Sequence, residues 1–129
     1  MEIFISRSLG IDLIEIKRIR NILKKHPNFL EKMFGNLEYQ EMQSRNFKVN
    51  SIAGNFCAKE AFFKAIGTGL FRFYLKDVEI LRNNLGAPYI NLSKKIINKF
   101  KLENVSFSLS ITHTREYACA VVLCDNSSK

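Results

Sequence analysis

A helix over residues 51–66 of this chain has no solvent side. Ile52, Ala53, Phe56, Cys57, Ala58, Ala61, Phe62, Phe63, Ala65 and Ile66 run all the way round its wheel. A helix apolar on every side belongs in the middle of a domain, with the other elements packed around it. Gly67-Thr68-Gly69 then ends it with a C-capping glycine. Three charges interrupt the run, and two of them, Glu60 and Lys64, lie one turn or about 6 Å of rise apart. On an exposed helix they would be a common ion pair contributing a few tenths of a kcal/mol. On a helix with little solvent face, burial without a function costs several kcal/mol of desolvation. Lys59 and Asn55 project to another side and read as ordinary.

The rest of the chain supplies what packs on that helix. Ile3–Ile5 and then Leu9–Ile14 are apolar and strand-like. Ile16–Lys25 follows, stopping at His26-Pro27, with Ile16, Ile19, Ile22 and Leu23 on one arc. Lys17, Arg18, Arg20, Lys24 and Lys25 fill the opposite side with no acid among them, which makes an amphipathic helix with one dry and one basic face. Phe29–Phe34 and Leu37–Met42 read as short helices broken at Gly35. Val78–Leu81, a turn at Asn83–Gly86, Pro88–Leu92, a helix from Ser93 to Phe100, and strands at Ser106–Thr112 and Tyr117–Cys124 complete the order. Segregated helices and antiparallel hairpins predict an α+β fold, one domain over residues 1–129, with an antiparallel sheet packed on the long central helix.

Charge narrows the partner. The 129 residues carry a net charge of +8, so an anionic partner is expected. Residues 51–101 hold nine Lys/Arg against three Asp/Glu, whereas residues 102–129 hold two against three, a segment built for burial. Cys57, Cys119 and Cys124 form no CxxC pair and sit in apolar runs, which reads as core thiols in a reducing compartment. No signal-like leader and no apolar run near the ~20 residues of a membrane span is present, so the expected location is the cytoplasm.

Asp12 is the second anomaly, a carboxylate inside Leu9-Gly10-Ile11-Asp12-Leu13-Ile14. It is either the N-cap of the basic helix or a carboxylate at a strand end. There a second carboxylate such as Glu60 would share a hard cation, as magnesium is usually held. The third is Ser108-Leu109-Ser110-Ile111-Thr112-His113-Thr114, whose hydroxyls share one strand face and end in a histidine. They line either a phosphate or amide site or a solvated strand face. Neither histidine belongs to a zinc-ligand set, and no GxxxxGK[ST] loop occurs.

Taken together, Gly10–Arg18, Phe56–Gly69 (FCAKEAFFKAIGTG), Gly86-Ala87-Pro88 and Ser110–Ala118 resemble the holo-[acyl-carrier-protein] synthase family, the small bacterial class of 4′-phosphopantetheinyl transferases. The resemblance spans essentially the whole chain with its motifs in order. It implies the phosphopantetheinyl transferase fold and an enzyme that moves the phosphopantetheine arm of coenzyme A onto a serine of apo acyl carrier protein for fatty acid biosynthesis, releasing adenosine 3′,5′-bisphosphate. It implies magnesium on Asp12 and Glu60, with Glu60 and Lys64 as catalytic residues. The base that takes the serine proton is left open between Glu60 and a water at the metal. Lys59, Gly67, Thr68, Gly69, Thr112 and His113 match coenzyme A contacts, and Lys17, Arg18 and Arg20 match the docking surface for the acidic carrier. A homotrimer with active sites between subunits is implied as well.

Three positions depart from the family's pattern. Asn55 replaces a frequent arginine, Gly35 a threonine that caps a helix before Glu38, and Ala87 a lysine. None touches the metal pair or Lys64. The alternative from charge and aromatic content is a small basic nucleic-acid-binding module, which leaves Asp12 and Glu60 without a role.

Overall fold

The computed structural model describes residues 6–68 and 72–126. The expected strand at Ile3–Ile5 and the proposed contact at Gly69 lie outside these residues. Strand β1 (Arg7–Glu15) leads directly into α1 (Ile16–Lys25), followed by α2 (Phe29–Met33), α3 (Asn36–Ser44) and the long α4 (Val49–Ala65). A 3-10 segment, Arg72–Asp77, precedes β2 (Val78–Arg82), β3 (Pro88–Leu92), α5 (Lys94–Phe100), β4 (Ser106–His113) and β5 (Tyr117–Asp125). The sequence pattern carries no period over that 3-10 segment. Elsewhere the expected elements form within a few residues of their expected ends.

The first strand pairs with the last. β5 lies between β1 and β4 in a three-stranded antiparallel sheet, and β2 and β3 form a separate hairpin. The sheet packs on α4, with which both β1 and β5 make extensive contact. Small residues on the inner face of β5, Ala118 and Ala120, are wholly enclosed and let the sheet approach closely. All of Ile52–Lys59 is buried, as are Ala61, Phe62 and Phe63. Burying each of those two rings contributes up to about 3 kcal/mol. Between Ile52 and Ala65 the helix is opened only at Glu60, which is half-buried, and at Lys64, which is exposed. The buried central helix is therefore as expected, and its one open stripe carries its two unusual charges.

The end of α4 is a Schellman turn. Gly67 has φ +82, the Gly67 amide donates to Lys64 O at 3.1 Å and the Thr68 amide to Phe63 O at 3.1 Å. The start of α3 is unusual. The Glu38 amide donates to Glu79 Oε2 at 2.9 Å, and the Gly35 amide donates to Glu38 Oε1 at 3.3 Å. A Cβ on Gly35 would lie 2.5 Å from Glu79 Oε2. The hydroxyl cap missing at position 35 is thus replaced by a carboxylate from β2, which the absent side chain leaves room for.

The outer face of the sheet is apolar and open. Leu9, Ile11 and Leu13 are 67%, 62% and 64% exposed. They lie beside Leu123, Val121 and Cys119 of β5, which in turn face Ser108, Ser110 and Thr112 of β4. Among the described residues of the C-terminal segment, only the inner half is buried by its own chain.

Candidate active site

The site begins with a close approach. A Cβ placed on Gly10 would collide with Ala61 O and stand 2.6 Å from the Ala65 amide nitrogen, so only glycine lets β1 lie directly on α4 here. Ser8 Oγ donates to Ala65 O on the same strand face. Alternation then puts Asp12, two residues beyond Gly10, on that face and over the open stripe of α4. The glycine and the aspartate of the G-x-D pattern are thereby one device, the first setting the distance and the second filling it.

Asp12 is 8% exposed. Lys64 Nζ donates to Asp12 Oδ1 at 3.1 Å and to Ile11 O at 3.0 Å, while its side chain remains 53% exposed. Cys57 Sγ lies 3.2 Å from Asp12 Oδ2. Asp12 is therefore not the helix cap that one reading of the sequence allowed. It lies within β1; Glu15 occupies the N-cap position of α1, and the Ile16 amide donates instead to Glu116 O at 2.8 Å. Cys57 is likewise not in purely apolar surroundings, and burial together with Asp12 pushes its thiol well up from the ordinary range.

Glu60 completes the cluster. Burial, then a hydrogen bond to Asp12 and the Asp12 charge, push its carboxyl up to about 7, against the opposing charges of Lys64 and Arg18. Two carboxylates this close disfavour each other's ionisation, and a cation between them would relieve that. The described residues include no cluster of three or more His, Cys, Asp and Glu suited to a metal. A hard oxygen pair without a third protein ligand fits magnesium, which keeps waters and takes substrate phosphates as its other ligands. It does not fit a structural zinc site.

Lys59 corrects the sequence reading. Its side chain is 0% exposed, and its ammonium donates to Glu38 Oε1 at 2.7 Å, Leu75 O at 2.7 Å and Val78 O at 2.6 Å. All three protons are used inside the protein, so Lys59 has none to offer coenzyme A. Burial pushes Lys59 down and Glu38 up, and their mutual contact opposes both shifts. Asn55 is not ordinary either. It donates to Glu38 Oε2 at 3.0 Å and to Ile80 O at 3.2 Å, and its Oδ1 accepts from Arg82 Nη2 at 3.0 Å. Glu38 is visible in the sequence only as a spacing. Its partnership with Lys59 bridges 21 residues and leaves no local period.

Gly67 and half-buried Thr68 sit one turn beyond Lys64, at the end of the same helix. Thr112 lies on the outer sheet face and His113 at the exposed end of β4. Within one chain, Thr112 and Asp12 are on opposite faces of the sheet, so the structure does not bring the expected coenzyme contacts into one pocket. Lys17, Arg18 and Arg20 are all exposed on α1. A shallow groove runs along this helix, lined in part by Lys17, Arg18, Asn21, Ile22 and Lys25. The Arg18 charge also reaches Glu60, which puts the basic face beside the carboxylates.

Residues 8–122 match the model of the 4′-phosphopantetheinyl transferase superfamily. The chain is 42% identical over 119 residues to a holo-[acyl-carrier-protein] synthase of Clostridium botulinum, covering 92% of this chain and 97% of the relative. A holo-[acyl-carrier-protein] synthase of Fusobacterium nucleatum is 42% identical over 117 residues, 89% of this chain and 95% of the relative. Among solved structures, the Helicobacter pylori enzyme in complex with coenzyme A superimposes with a TM-score of 0.76 at 36% identity, covering 91% of this chain and 99% of that one. The Neisseria meningitidis enzyme does so with a TM-score of 0.83 at 27% identity, covering 92% and 97%. Near-complete coverage in both directions, on a fold that sets an aspartate against the glutamate and lysine of a buried helix, means that this chain belongs to the 4′-phosphopantetheinyl transferase superfamily, among the holo-[acyl-carrier-protein] synthases.

Proposed function

We propose that the protein, as one transferase domain over residues 1–129, transfers the 4′-phosphopantetheine arm of coenzyme A to a serine of apo acyl carrier protein. The carrier serine oxygen bonds to the β-phosphorus, the bond from that phosphorus to the bridging oxygen breaks, adenosine 3′,5′-bisphosphate leaves, and the serine proton is released. Holo carrier protein for fatty acid synthesis is the product. The observation that carries this reading is the convergence of Asp12, Glu60 and Lys64 at the one opening of an otherwise enclosed helix.

Asp12 and Glu60 would hold magnesium, which when bound supplies positive charge to offset the charge on the pyrophosphate. Lys64 has one donor beyond those given to Asp12 and Ile11, and its exposed ammonium is a point charge for phosphate. Gly67 and Thr68 fit coenzyme contacts at the same end of α4. Lys17, Arg18 and Arg20 fit the docking surface for the acidic carrier, raising encounter rate and specificity more than affinity. The serine proton would go to Glu60 or to a water at the metal.

A homotrimer accounts for the open outer face. Leu9, Ile11 and Leu13 form an exposed apolar stripe of the kind that marks an interface. A second copy against it would also bring Thr112 and His113 to a neighbour's site. The described residues contain no helix long and apolar enough to cross a membrane, and the substrates belong to the cytoplasm, where we place the enzyme. The described residues do not favour the nucleic-acid alternative: Phe62 meets Phe63 edge-on and Phe107 at a tilt, and Tyr74 meets Phe100 edge-on, packed against the core instead of on a binding surface.

The test is incubation with apo acyl carrier protein, coenzyme A and Mg2+, followed by mass spectrometry of the carrier. A phosphopantetheine mass gain is expected with wild type and none with Asp12→Asn or Glu60→Gln. An unmodified carrier with folded wild type refutes the proposal.

A further inference from the structure

The carboxylate of Asp12 is gripped from both sides by one helix. Lys64 Nζ holds Oδ1 at 3.1 Å, and the Cys57 thiol stands 3.2 Å from Oδ2. Cys57, Glu60 and Lys64 are spaced i, i+3, i+7 along α4, so they share one stripe. That stripe offers a neutral donor, a carboxylate and a cation to the same aspartate. Cys57 is completely buried. Its other polar neighbours are the peptide oxygens of Asp12 at 3.2 Å and Ala118 at 3.4 Å. A thiol has one proton to give, and of these three acceptors only Oδ2 carries charge, which makes that hydrogen bond the strongest available.

A carboxylate fixed at one oxygen still turns, because its terminal torsion is broad and two-fold. A second donor removes that freedom. We propose that Cys57 is a positioning residue whose thiol, acting with Lys64, holds the Asp12 carboxylate in the single orientation that presents it to Glu60 and to a divalent cation. The inference rests on the reading of Asp12 and Glu60 as the metal pair. No motif assigns this role to position 57, which the sequence treats as a small core residue. Partners that orient a ligating carboxylate control metal affinity as well as activity.

Three substitutions on the full chain test it. Cys57→Val fills the space without a donor, Cys57→Ala removes both, and Cys57→Ser restores a donor. Mg2+ alone is titrated calorimetrically, without coenzyme or carrier, and melting in chelator reports the fold. The expected result is an Mg2+ affinity weakened roughly tenfold in the Ala and Val variants and returned to within about threefold of wild type by Ser. A purely structural thiol predicts lower melting temperatures with one Mg2+ affinity throughout, and that result overturns the inference. If the Val variant does not fold, the difference in affinity between the Ala and Ser variants decides between these two outcomes. A wild type that takes up no Mg2+ overturns the metal reading and this inference with it. Mg2+ uptake by wild type and by all variants alike overturns the inference alone.

Discussion

Lys64 Nζ lies 3.1 Å from Oδ1 of Asp12, across 52 residues of sequence, and its ion pair is with that aspartate instead of with Glu60 one turn away on its own helix. The pairing that helical spacing suggests is displaced by one that only tertiary packing provides. Glu60 is left with a second carboxylate as its hydrogen-bond partner. A site assembled in this way favours a proton on Glu60, or a cation in its place.

That preference should be readable in stability. Between the ordinary carboxyl value of 4.5 and about 7, the folded chain keeps a proton on Glu60 that the unfolded chain has lost. The folded state binds more protons across this window, so stability falls as pH rises through it and levels off above. Half-exposure of Glu60 and solvent screening reduce the size of the effect. In chelator, wild type should lose melting temperature relative to Glu60→Gln between pH 5 and pH 8. Adding Mg2+ at pH 8 should raise wild type only. Parallel melting curves for the two proteins would contradict the geometry.

Gly10→Ala is expected to disrupt both fold and site. The new Cβ collides with the backbone oxygen of Ala61, which no side-chain rotation relieves, so β1 must move off α4. A loss of about 1–3 kcal/mol or more is expected in denaturant unfolding, with transfer lost in whatever remains folded. Full activity in a stable Gly10→Ala protein would show that Asp12 does not depend on this contact.

Lys59→Met leaves Glu38 buried and unpaired, which should cost about 3–5 kcal/mol. Adding Glu38→Gln, which removes the stranded charge and keeps an acceptor for Asn55 and Ile80, should recover part of that. The KM for coenzyme A in the folded fraction should not change. A raised KM at undiminished stability would return Lys59 to the coenzyme site.

On the proposed docking face, Arg18→Ala should raise the KM for the carrier several-fold, with a weaker salt dependence than wild type. Initial rates at varied carrier and salt concentration measure both, and an unchanged KM refutes the docking role.

Ile11→Asp places a charge in the middle of the exposed apolar stripe, two residues from Leu9 and Leu13. Light scattering should show the proposed trimer replaced by monomer, with the far-ultraviolet spectrum retained. A monomeric wild type with full activity would sink the assembly.

Much of the fold is legible in the sequence because it depends on local period. The dry arc of Ile16, Ile19, Ile22 and Leu23 specifies α1, and alternation separates Ser108, Ser110 and Thr112 from Leu109 and Ile111. Turn chemistry at Asn83–Gly86 marks the β2–β3 hairpin, where the Leu85 and Ala87 amides both donate to Asn83 Oδ1. Of the site, Asp12, Glu60 and Lys64 stand out as charges in apolar runs. The burial of Lys59, the contact of Cys57 with Asp12 and the Glu79 cap at Gly35 have no such signature, because each depends on a partner distant in the chain.

By itself the sequence determined a buried central helix, a basic amphipathic helix before it, and two carboxylates whose bland readings, a helix cap and a helical ion pair, it left open. It did not determine which side of the central helix opens. A wheel that is apolar all round cannot distinguish Lys59 from Lys64, five residues away. That choice belongs to the elements laid against each side. α3, the 3-10 segment and the start of β2 close over Lys59 and use all its protons, while β1, drawn in at Gly10, meets Lys64 with Asp12 and leaves its ammonium in solvent. Periodicity is a property of neighbouring residues, whereas burial is a property of what covers them, and only the folded chain decides the second.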